Sequence, residues 1–222
     1  SDKYALTESD LPVSTFCFKA DVASSEGANN TMLMKLWEET TPYKTEKQKQ
    51  DTRIRQAING IPIVIYWENS ETGELSFRGK YNFNNDKSTQ DTFGFSDGCE
   101  SWEFLDNGLS LTEFSGDDFT NWKSAFEARY PDGNENITNL KRVVSWVVST
   151  DTNQATNKNL ATPVTFDDVV YNKDTVEFRL AKFKNEFENY FIKSNVLYYY
   201  FYTELFLMVD SRAKNQFLTT YD

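Results

Sequence analysis

Apolar and polar positions alternate through the first half of the chain and recur at three- and four-residue intervals through the second. Val13 to Lys19, Val-Ser-Thr-Phe-Cys-Phe-Lys, is β-branched or aromatic and reads as a strand behind Pro12. The small residues of 23–27 make an exit loop. Leu33, Leu36 and Trp37 recur at helical spacing between Asn30 and Glu39, and Pro42 closes that short amphipathic helix. Residues 44–52 are polar without an apolar period and read as a surface loop. Asn59-Gly60 opens a strand over Ile61–Trp67, Asn69–Gly73 turns the chain, and Leu75–Phe83 returns as the second arm of a hairpin. Strand-like alternation continues over Thr92–Phe95, Glu100–Leu105 and Leu109–Phe114.

Beyond residue 116 the period changes. Asp117 or Asp118 is placed to cap a helix carrying Phe119, Trp122, Phe126 and Tyr130 and ended by Pro131. Leu140, Val143, Val144 and Val147 form an i, i+3, i+4, i+7 stripe, and Val176, Leu180, Phe183 and Phe187 form another over 175–191. Residues 149–163, rich in Thr, Asn and Ala, separate the two as a connector. Ser194 is expected to cap a helix from Asn195 to Val209 that is apolar on every side, the pattern of a helix buried all round. The expectation is an α+β fold in one domain, 1–222, with a mostly antiparallel, sheet-rich part over 1–116 containing one helix, and a helical part over 117–222.

Composition narrows the chemistry. The 222 residues are enough to bury a sizeable core, and 18 Phe, 12 Tyr and 5 Trp would supply most of its packing. Twenty-three basic against 34 acidic residues leave a net charge of −11, which repels nucleic acid and anionic membranes. There is no histidine, which excludes Ser-His and Cys-His nucleophile activation and every histidine-containing metal site. Cys17 and Cys99 are too few for a disulfide framework; one bridge between them is possible, while Phe16-Cys17-Phe18 suits a buried thiol. The longest apolar run, 196–209, is interrupted by Thr203 and Glu204 and is too short to span a bilayer, so a soluble protein without membrane insertion is expected. The chain opens at Ser1 and ends at Asp222 directly after a strand-like stretch, 217–221, as a piece of a longer protein would.

Five residues could carry chemistry. Asp210 and Asn215 have the Asp-x4-Asn spacing of a kinase catalytic loop, where the aspartate orients a nucleophilic hydroxyl and the asparagine offers a neutral oxygen to a metal ion. Alternatively, both simply satisfy backbone groups in turns. Glu204, in the middle of an apolar helix, demands a partner if buried, and Arg179, Arg212 or Lys214 could serve. Lys19 and Lys80 sit in strands, where each is either solvated or turned to a ligand. Tyr198, Tyr199, Tyr200 and Tyr202 read as core.

Three separated segments agree in order with one family. They are Phe-Cys-Phe-Lys-Ala-Asp from Phe16, the stretch Ile58-Asn-Gly-Ile-Pro-Ile-Val-Ile-Tyr through Gly79-Lys-Tyr-Asn-Phe, and Tyr198-Tyr-Tyr-Phe-Tyr-Thr-Glu-Leu-Phe-Leu-Met-Val-Asp-Ser followed by Asn215. From about Thr15 to Tyr221, with a looser middle over 89–163, the chain resembles the spore-coat CotH kinase-like family, and within it a divergent branch of tailed-bacteriophage virion structural proteins. The resemblance implies a kinase-like two-lobed fold, with Asp210 as catalytic aspartate and metal ligand, Asn215 as metal-facing asparagine, and Lys19, with Lys80 as a second candidate, toward nucleotide phosphates. Two departures weigh against catalysis: the family's Trp-Asp or Tyr-Asp metal-binding aspartate is not reached before Asp222, and no Gly-x-Gly-x-x-Gly loop is present. The expected function is a tail-associated virion structural or interaction domain that contacts other virion proteins or the host surface and needs no cofactor. The alternatives are an active protein kinase using magnesium and ATP, and a carbohydrate-binding module, for which clustered surface tryptophans would be the sign.

Overall fold

The computed structural model describes residues 2–20, 29–88, 90–105, 119–148, 164–166, 168–171, 175–208 and 210–221. They fall into two units, Ser1–Gly98 with Tyr221–Asp222, and Cys99–Thr220. The expected exit loop 23–27, strand Leu109–Phe114, caps Asp117 and Asp118 and connector 149–163 lie outside the described residues. Three antiparallel sheets and six helices are present among the described residues, which makes the fold a mixed α+β one.

The first unit is organised by the hairpin expected from the sequence. Strands β2 (Gly60–Glu68) and β3 (Leu75–Asn85) pair antiparallel, with a bulge between Ile65 and Tyr66. Asn69 makes the turn: its side-chain oxygen accepts from Glu71 N–H at 2.9 Å, and its carbonyl accepts from Gly73 N–H at 2.8 Å. Strand β1 (Phe16–Lys19) adds to the other edge of β3, giving the order β1-β3-β2. Phe16 and Phe18 both stack on Phe83, with ring centroids at 5.0 and 5.1 Å. Helix α1 (Asn29–Thr40) forms where the Leu33-Leu36-Trp37 spacing put it, and it buries Trp37. A Cβ at Gly60 would stand 1.9 Å from the Asn84 amide oxygen and 2.8 Å from the Thr31 methyl group, so only glycine lets Asn84 cross the strand there.

Two expectations for this unit are corrected. Residues 44–52 are not a loop, because Glu46–Gln50 form helix α2. Thr45 Oγ1 accepts from Gln48 N–H at 3.1 Å and the Gln48 side chain accepts from Thr45 N–H at 3.0 Å, a capping box that fixes a helix with no apolar period. Thr92–Phe95 is not a strand, since Gln90–Phe93 make a 3-10 turn. Thr92 is claimed there from two sides: its carbonyl accepts from Arg55 N–H and its hydroxyl accepts from the Asn85 amide, both at 3.1 Å. Cys17 and Cys99 are both free thiols, and burial pushes the Cys17 thiol above its ordinary value.

The second unit is built on a sheet whose strands over Glu100–Phe104 and Phe217–Thr220 lie where the sequence led one to expect them and whose third strand does not. Strand β4 (Glu100–Phe104) lies between β5 (Phe126–Tyr130) and β8 (Phe217–Thr220). The helix expected through Phe119, Trp122, Phe126 and Tyr130 is therefore absent; a 3-10 turn at Trp122–Ser124 leads into β5 instead. Phe126, Ala128 and Tyr130 also alternate with Glu127 and Arg129. That two-residue period wins because it lets Phe126 join Trp102, Phe119, Leu140 and Val144 in one core while pairing with β4. Helix α3 (Thr138–Val148) supplies Leu140 and Val144 as its stripe predicted. Strands β6 (Val164–Phe166) and β7 (Val169–Tyr171) make a separate ribbon.

The two last long helices present their expected apolar faces outward. Helix α4 (Val176–Glu186) starts from a Thr175 cap, whose hydroxyl accepts from Phe178 N–H at 3.1 Å. Its stripe of Val176, Leu180 and Phe183 is exposed, while Phe178, Ala181 and Lys182 are buried. Helix α5 (Lys193–Leu205) begins ahead of Ser194, which makes no cap, and it buries only Tyr202 and Thr203. The all-round buried helix is corrected to a half-buried one, with Leu197, Tyr200, Phe201 and Leu205 exposed. Helix α6 (Asp210–Ala213) and β8 complete the unit.

Candidate functional site

Lys19 and Lys80 belong to the first unit. Lys19, the last residue of β1, stands opposite Asn82, and Lys80 lies two residues from Asn82 on β3, so both lysines are on one face as diagonal neighbours. Both are exposed. Asn82 and Asn84, on the same face, are buried.

Asp210, Asn215 and Glu204 belong to the second unit. Asp210 opens α6, is exposed, and accepts Lys214 N–H on its backbone carbonyl at 2.9 Å. Asn215 takes a left-handed φ of 57° and is exposed, the conformation of a residue that ends a turn of helix. Glu204 is exposed and not the buried charge expected, because α5 turns that face to water; Arg212, one of the three partners foreseen, pairs with it. The Tyr199 hydroxyl donates to the Ser211 carbonyl beneath them, and burial, opposed by the Arg212 charge, pushes its phenol up to about 12. Asp210 thus issues from a four-residue helix rather than from the rigid, fully packed α5 that proton transfer would call for. Among the described residues no group of three or more Cys, Asp or Glu side chains is placed to hold a metal ion.

Buried charge sits elsewhere, at positions the sequence did not single out. Asp10 accepts from the Thr7 hydroxyl at 2.6 Å, Thr7 N–H at 3.1 Å, Arg55 Nε at 2.7 Å and the Asn59 amide at 2.8 and 2.9 Å. Burial acts to raise its carboxyl, but the Thr7, Arg55 and Asn59 contacts outweigh it and hold Asp10 below its ordinary value. Glu38 accepts from Gln56 and Ala57 N–H and is pushed up by burial. In the second unit, buried Glu103 pairs with Arg129, which also holds Glu127 at 2.8 Å. Trp146 Nε1 donates to Glu186 at 2.9 Å, and buried Lys182 donates to the Trp146 carbonyl. Each of these carboxylates is spent on the chain's own donors. They knit the fold and leave little capacity to bind a substrate.

What remains offered to solvent is apolar. Every residue from Tyr66 to Arg78 is exposed, so the β2–β3 hairpin beyond its bulge is an arm bearing Tyr66, Trp67, Leu75 and Phe77. Tyr66 and Phe77 pair across the strands and meet edge to face at 5.5 Å, while Trp67, opposite Ser76, lies on the other side. Trp37, Trp102 and Trp146 are buried and Trp122 is half-buried, so Trp67 is the one fully exposed tryptophan and the surface cluster that a carbohydrate module would carry is not formed. The sequence hinted at the arm through its unbroken apolar run from Ile61 to Trp67, where a half-buried strand would alternate. No helix among the described residues is long and apolar enough to cross a membrane. No family model, curated protein or solved structure matches the chain.

Proposed function

We propose that the chain is a structural or interaction domain of a tailed-phage virion, tail-associated, on a two-lobed CotH-like kinase scaffold that does not work as a catalyst. The observation that carries the interaction role is the exposed run from Tyr66 to Arg78. A two-stranded arm is marginal by itself in water, and large aromatic side chains displayed on one favour a contact in which they are covered. The virion placement rests on the family resemblance of the segments around Lys19, Lys80 and Asp210. Partners are then other virion proteins or the host surface, reached without nucleic acid, membrane insertion or a cofactor.

Antibodies raised against the purified chain should label density-purified phage particles from the source culture. The double variant Trp67→Ser/Phe77→Ser should fold but be incorporated less. Unlabelled particles would remove the virion placement. Calorimetric titration with ATP and magnesium should give no saturable heat; a saturable heat abolished by Asp210→Ala would establish the kinase instead, with Lys19, Lys80 and Asn215 as the next residues to vary.

A further inference from the structure

The outer side of α5 is a second apolar surface, in the other unit. Leu197, Tyr200, Phe201 and Leu205 recur at i, i+3, i+4 and i+8, so they run along one stripe, and each is more than half exposed. At about 150–250 Å2 for a large apolar side chain, they leave roughly 400–500 Å2 in water, close to the largest patch an ordinary monomer shows. Leu207, 79% exposed just past the helix, extends it.

We propose that this stripe is the contact of a symmetric homodimer in which α5 packs antiparallel on α5 of a second copy. Area is the first support. Two such stripes with their flanks would remove more than about 1,000 Å2 from water, the least that a specific interface needs. Charge is the second. The chain carries −11 overall, yet the stripe is locally neutral: Lys193 at its amino end pairs with Glu188 at 3.0 Å, and Glu204 near its carboxyl end pairs with Arg212. Antiparallel pairing turns the Lys193 end of one helix toward the Glu204 end of the other and opposes the helix dipoles, so no like charges are stacked. Symmetry is the third. Leu197 meets Leu205 across the two-fold axis while Tyr200 and Phe201 lie beside it, so one surface is complementary to itself. Dimerisation in solution is independent of whether the chain labels phage particles.

Sedimentation velocity of the whole chain over a dilution series should show a reversible monomer–dimer equilibrium. Phe201→Asp should weaken it ~30-fold or more, the scale of an interface hot spot. Val176→Asp, on the exposed stripe of α4, should leave it unchanged. Both residues are exposed, so both variants should keep the native circular dichroism. In a Cys17→Ser background, with Cys99 buried, Tyr200→Cys should form a disulfide-linked dimer under mild oxidation and Leu180→Cys should not. A chain that stays monomeric at the highest concentration, an unchanged dissociation constant in Phe201→Asp, or no cross-link through Tyr200→Cys overturns the proposal.

Discussion

The first unit is closed by hydrogen bonds and the second by aromatic packing. Among the described residues the first buries the hydrogen-bonded Asp10, Gln48 and Asn59 beside Val13, Trp37 and Phe93, whereas the second packs Trp102, Phe126, Leu140, Val144, Trp146 and Phe178, with Glu103 and Lys182 as its buried charges. The difference is one of directionality. In a polar interior, removing one partner strands another group without water, while an apolar interior responds in proportion to the volume removed. Exposed apolar surface is common to both: the first unit leaves Tyr66, Trp67, Leu75 and Phe77 outside, and the second leaves the stripes of α4 and α5 outside.

The contrast can be broken hardest at Trp146. It is fully buried, stacked on Phe183 at 5.3 Å and on Tyr190 at 4.3 Å, and hydrogen-bonded to Glu186. Trp146→Ala should lower stability by ~3–5 kcal/mol in urea denaturation and expose the second unit first to hydrogen exchange.

Asp10→Ala comes next, at about 3 kcal/mol, because it leaves Arg55 and Asn59 without their carboxylate. The pH dependence separates Asp10 from Glu186. The folded value of Asp10 is lowered, so its stabilisation is complete above the unfolded value and is lost as pH falls through the folded one. Glu186 is raised by burial, with the Trp146 hydrogen bond and Lys182 opposing, so acidification from its folded value down to its unfolded value adds stability. Urea midpoints across the acid range should show Asp10→Asn flattening the loss and Glu186→Gln removing the gain; the reverse pattern would contradict both assignments.

Thr45→Ala removes one half of the capping box, and about 1 kcal/mol with it, and should speed hydrogen exchange over Glu46–Gln50 alone. Glu204→Gln should change stability by less than ~0.5 kcal/mol, the scale of an exposed ion pair, where a buried charge would have changed it by several.

Local pattern was a good guide where it had one reading. The β2–β3 hairpin, α1 and α3 lie where turn residues and apolar spacing placed them, because Asn69, Gly73 and the Leu140–Val144 pair act within their own segments. Helix α2 was also legible in the Thr45-x-x-Gln48 signature, though the absence of an apolar period hid it. Residues 119–130 carried both a helical and a two-residue period, and only the open edge of β4 chose between them. In α4 the stripe identified the helix but not its inner face, since Trp146 covers Lys182 rather than Leu180. For the candidate site, residue types were legible while burial was not: Glu204 is exposed, and the saturated carboxylate is Asp10.

By itself, the chain's order of residues determined its acidity, its lack of histidine chemistry, its α+β character and the elements that close on near neighbours. Tertiary structure alone decided that β8 joins β4 across more than a hundred residues, that Asp10 meets Arg55 and Asn59, and that the apolar side of α5 faces water. The reason is physical. Turns, caps and periods are free-energy preferences of a few consecutive residues, whereas the inner face of a helix and the partner of a carboxylate depend on which distant surface arrives to exclude water.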